Sequence, residues 1–73
     1  TMTSKQAEEA ARQEAISRGY GPRMADWFVR GAYAAATGAE HAPSRRPTRA
    51  WYLDGTRWYV AASGATTAQE ASP

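Results

Sequence analysis

The chain has 73 residues, a formal net charge of +2 and no cysteine. That length allows one small domain, which buries only about 60% of the surface its unfolded chain exposes. The absent cysteines exclude disulfides and thiolate zinc sites, and the one histidine, His41, has no carboxylate spacing around it that suggests a metal, so no cofactor is expected.

Taken in chain order, the first element opens at Thr3. A threonine followed three residues later by Gln6 is a capping box, and the alanine-, glutamate- and arginine-rich run behind it predicts a helix over 4–18. Gly19 ends it, and Tyr20 is placed to pack back on the last turn. The apolar stripe is thin: Ala7, Ala10, Ala11 and Ala15, with Ile16 to one side.

Gly21 as N-cap and Pro22 in the first turn predict a second helix over 22–37, closed by Gly38. Met24, Trp27, Phe28, Gly31 and Ala35 recur at helical spacing, and Ala25, Val29 and Ala32 widen that face. Asp26 and Arg30 stand four apart, a spacing that pairs charges on a helix surface. Gly31 and the alanines would admit a close neighbour.

Residues 38–48, GAEHAPSRRPT, read as a loop. Beyond them Asp54-Gly55 lies between two aromatic runs, the pattern of a type I′ hairpin turn, and predicts a β-hairpin over 49–61. A two-residue turn sorts its side chains onto two faces. Trp51, Leu53, Trp58 and Val60 form an apolar set expected to pack on the second helix. Tyr52, Arg57 and Tyr59 are expected to point outward. The fold class expected is therefore α+β, two helices followed by an antiparallel hairpin on the second helix. Residues 1–61 form the single domain and 62–73 a disordered tail. No internal repeat is read from the chain.

Charge is uneven along this order. Glu8, Glu9 and Glu14 outweigh Lys5 and Arg12 at the start, while seven arginines outweigh Asp26, Glu40 and Asp54 between residues 18 and 60. No catalytic constellation is present. His41 stands beside Glu40 in the loop without a nucleophile, and Gly19 and Gly21 follow a helix rather than the strand a phosphate loop requires. The chain is thus expected to be no enzyme.

What remains is a surface. Arg45, Arg46 and Arg49 lead into the hairpin, Arg57 stands between Tyr52 and Tyr59, and Arg30 with Tyr33 adds to them from the second helix. Guanidinium groups match phosphates, tyrosine stacks on unpaired bases, and both residue types anchor protein interfaces. The first expectation is a small binding module whose Arg/Tyr surface engages nucleic acid or a nucleoprotein complex. The alternative is a phage or mobile-element protein that binds and inhibits a host protein complex, in the manner of anti-CRISPR proteins. A homodimer through the open hairpin edge is a further possibility. No apolar run approaches the roughly 20 residues of a membrane helix. The opening TMTSKQAEEA is too polar for a secretory signal, so no membrane partner is expected and the expected location is the cytoplasm.

Overall fold

A computed structural model describes residues 3–39 and 42–63. They form three helices: α1 (Ser4–Ser17), α2 (Pro22–Thr37) and α3 (Thr48–Ser63). The middle helix packs against both others, and α1 and α3 barely touch.

The first two helices fall where their punctuation puts them. The Gln6 amide donates to Thr3 Oγ1 at 3.1 Å, and the Thr3 amide donates to Gln6 Oε1 at 3.0 Å, closing the capping box. At the other end Gly19 has φ +76°, its amide donates to the Ile16 carbonyl, and the Tyr20 amide reaches back to the Ala15 carbonyl. This paired return is the Schellman arrangement, and it reverses the chain into α2. The Tyr20 ring then stands edge-on to Phe28, centroids 5.6 Å apart. Pro22 opens α2 and Gly38, at φ +78°, closes it.

The core is built from small residues around one large ring. Ala7, Ala11 and Ala15, one turn apart on α1, are fully buried, so α1 lies close on α2. Phe28 is the largest fully buried side chain, with Ala25, Val29, Ala32 and Tyr59 beside it. The expected Asp26–Arg30 pair does not form. Asp26 instead faces Arg12 of α1 at 3.8 Å, and the Arg30 guanidinium lies 4.6 Å from the centre of the Trp27 ring.

The expected β-hairpin over 49–61 is a helix, and no strand occurs among the described residues, so the domain is helical rather than α+β. The faces turn over with it. Tyr52 and Tyr59, expected outward, are only 7% and 5% exposed, whereas Trp51, Leu53, Trp58 and Val60 are half-buried; of the outward set only Arg57 is exposed. The hairpin edge offered for a possible homodimer is likewise absent among the described residues.

The physical reason lies in a second periodicity. Thr48, Tyr52, Gly55 and Tyr59 recur at spacings of four, three and four and make one buried helical face. Glycine costs a helix interior about 1 kcal/mol relative to alanine, yet Gly55 is the contact that lets α3 approach. A methyl group there would run into the Phe28 carbonyl of α2, and one on Gly31 would run into the Tyr52 carbonyl of α3. Thr56 Oγ1 closes the crossing by donating to the Gly31 carbonyl at 3.0 Å. Tertiary contact overrides a local sequence that favours strand and turn.

These reciprocal contacts expose a repeat. Trp27-Phe28-Val29-Arg30-Gly31 on α2 matches Trp51-Tyr52-Leu53-Asp54-Gly55 on α3 in order: tryptophan, aromatic ring, branched aliphatic, charged residue, glycine. Each glycine packs on the carbonyl of the other segment's aromatic residue. The two helices are therefore related by an approximate local two-fold, and the chain carries an internal repeat where none was expected.

Candidate partner-binding face

The eight expected contact residues divide into three groups. Tyr52 and Tyr59 belong to the core. Arg30 and Tyr33 line a depression of about 390 Å³ between α1 and α2, together with Glu8, Arg12 and Asp26, so their surroundings carry both signs of charge. Arg45, Arg46, Arg49 and Arg57 are exposed in the turn before α3 and along its outer side.

The outer side of α3 is held by local backbone geometry. The carbonyl of Arg45 accepts from the Arg49 amide at 2.8 Å, and the Pro47 carbonyl accepts from Ala50 and Trp51, which winds the chain into the helix. Arg49 and Arg57 are two turns apart, about 12 Å along the axis at 1.5 Å per residue. Leu53 lies midway between them, half-buried. Arg46, Pro47, Arg49, Ala50 and Leu53 line a depression of about 350 Å³.

This strip has no acid of its own because the single acid of α3 is engaged elsewhere. Asp54 Oδ2 accepts from Tyr20 Oη at 2.8 Å and from Arg18 Nη1 at 3.1 Å. Arg18 Nε in turn donates to Glu14 at 2.7 Å. The hydrogen bond to Tyr20, and next that to Glu14, hold the Arg18 guanidinium protonated well beyond its ordinary range. Its positive charge also sits 5.0 Å from the centre of the Phe28 ring. As the turn residue of a hairpin Asp54 gives no sign of this cluster, and the hairpin register puts Leu53 in the core rather than between arginines. The helical spacing Arg49, Leu53, Arg57 was the available signal.

Among the described residues no group of histidine and carboxylate side chains could hold a metal ion, and no helix is long and apolar enough to cross a membrane. His41 and Glu40 lie outside those residues. No protein-family model, curated protein or solved structure matches the chain.

Proposed function

We propose that the protein is a non-enzymatic binding module that engages an acidic protein partner through the outer face of α3. One observation carries this reading: Arg46 and Arg49 line a depression with an apolar floor of Pro47, Ala50 and Leu53, Arg57 stands exposed one turn beyond Leu53, and Tyr52 and Tyr59 are taken into the core. Binding of unpaired bases draws on stacked rings, and Tyr52 and Tyr59 cannot supply them from inside the fold. A basic rim over an apolar floor suits a protein surface, where arginine is enriched and the patch centre is apolar.

A second reading keeps the same arginines for the phosphate backbone of a nucleic acid, supported by the absence of any acid along the Arg49–Leu53–Arg57 strip. One experiment separates the two. The wild type and an Arg46→Glu/Arg49→Glu/Arg57→Glu variant are used as bait in a lysate of the source cells, with and without nuclease. The protein reading expects a partner that survives nuclease and is lost with the variant. Loss of that partner on nuclease treatment would transfer the function to nucleic acid, and equal capture by the variant would remove α3 from it.

A further inference from the structure

We infer that the outer face of α3 is a docking groove for an acidic amphipathic helix, which packs on α3 as α1 packs on α2. The inference rests on the protein-partner reading and adds the form of the partner.

The internal two-fold is the first argument. The segment WFVRG of α2 and the segment WYLDG of α3 are twenty-four positions apart, and their glycines make reciprocal contacts. The same offset carries Ala25 to Arg49, Val29 to Leu53 and Ala36 to Val60. On α2 this face is where α1 sits: Ala25 is 7% exposed and Val29 5%. On α3 its counterpart has no helix over it among the described residues, and Leu53 and Val60 stay half-buried. The layer α1–α2–α3 therefore has a place for a fourth helix beyond α3.

Charge identifies the occupant. The α2 edge of the existing groove carries Asp26, which meets Arg12 of α1 at 3.8 Å. On α3 the counterpart of Asp26 is Ala50, and the charges along the groove are arginines. Arg49 stands where α2 has Ala25, Arg57 where it has Tyr33, and Arg46 lies at the near end. Arg49 Nη1 reaches the Pro43 carbonyl of the preceding loop at 3.5 Å, and arginine stems of this kind extend an apolar floor beneath their charged ends. A helix with an apolar stripe for Leu53 and Val60, flanked by glutamates, satisfies both. A second copy of this chain is a poorer fit, since the acidic helix it could offer, α1, already has its alanine face buried on α2.

The test titrates the full chain, followed by amide chemical shifts, with three probes. Two are synthetic peptides of about 16 residues with one composition. In one, leucines form a helical stripe flanked by glutamates; in the other the order is scrambled to remove the stripe. The third is a short DNA duplex. The expected result is binding of the striped peptide roughly tenfold tighter than the scrambled one, the scale of one buried aliphatic side chain. Shifts should centre on Arg49, Leu53 and Arg57, and Leu53→Asp should abolish the preference while leaving the circular dichroism unchanged. Equal affinity for the two peptides would overturn the helix groove and leave an acidic protein partner standing. Shifts centred on Tyr33 and Glu8 would overturn it too. Tight binding of the duplex with neither peptide bound would overturn both readings, as would no binding at all. A mass that rises with concentration in the absence of peptide, with Leu53 shifting, would assign the groove to a second copy instead.

Discussion

Gly55 of α3 rests directly against the Phe28 carbonyl of α2, with no room for a side chain between them. The reciprocal contact of Gly31 on Tyr52 makes the crossing depend on both glycines. Gly55→Ala is therefore expected to destabilise the fold by about 1–3 kcal/mol, the usual cost of overpacking, although alanine is the better helix former. Gly31→Ala should behave alike. In urea unfolding the double variant should lose less than the sum of the singles, because the first methyl has already separated the helices. A neutral or stabilising Gly55→Ala would mean that the helices do not cross there.

The burial of the tyrosines separates this fold from a hairpin in a single measurement. Tyr59→Ala is expected to cost about 3–5 kcal/mol, as loss of a buried ring does. Arg57→Ala, two residues away and exposed, should change stability by less than about 0.5 kcal/mol. Chemical denaturation of the two variants checks the pair. A tolerated Tyr59→Ala would return that ring to the surface.

Why α1 and α2 were legible in the sequence and α3 was not follows from these contacts. The first two helices carry their own boundaries: the Thr3–Gln6 capping box, Gly19 with its positive φ, Pro22 and Gly38. Those signals act within a few residues and need no partner. Helix α3 has no comparable opening, and its threonine, tryptophan, tyrosine, aspartate and glycine favour strands and turns. Over so short a stretch, alternation and helical recurrence select overlapping sets of aromatic residues. The deciding term, the close approach of Gly55 to Phe28, joins positions far apart in the chain. The likeness of WYLDG to WFVRG joins the helical recurrence of Thr48, Tyr52, Gly55 and Tyr59 as a local sign, since a segment built like one on a helix can pack as one. Of the candidate face, the arginines were legible as exposed charges, but which neighbours they share depended on the element they stand on.

The Arg18, Tyr20 and Asp54 side chains couple the turn after α1 to the middle of α3. A double-mutant cycle of Tyr20→Phe with Asp54→Ala should return a coupling of about 0.5–1.5 kcal/mol, the net scale of one hydrogen bond at a part-exposed site. A coupling indistinguishable from zero would show that the Tyr20 hydroxyl is served equally well by water.

At the start of α1, Thr3→Ala should cost about 0.5–2 kcal/mol by removing the hydroxyl that accepts from the Gln6 amide. Thermal unfolding monitored by circular dichroism measures it. Thr3→Ser should recover most of the loss, and failure of serine to do so would place the effect outside the cap.

The three buried alanines of α1 give it little apolar area to hold it on α2, while its last turn is pinned by Arg18 and Tyr20. A helix gripped at one end and merely laid down along the rest opens directionally. Backbone deuterium uptake should therefore run as a gradient along α1, fastest from residues 7 to 11 and slowest from 15 to 17, before the α2–α3 pair admits solvent at all. The smallest cooperative unit of this protein is then not the whole chain but two crossed helices, with α1 acting as a strap fastened at its carboxyl end.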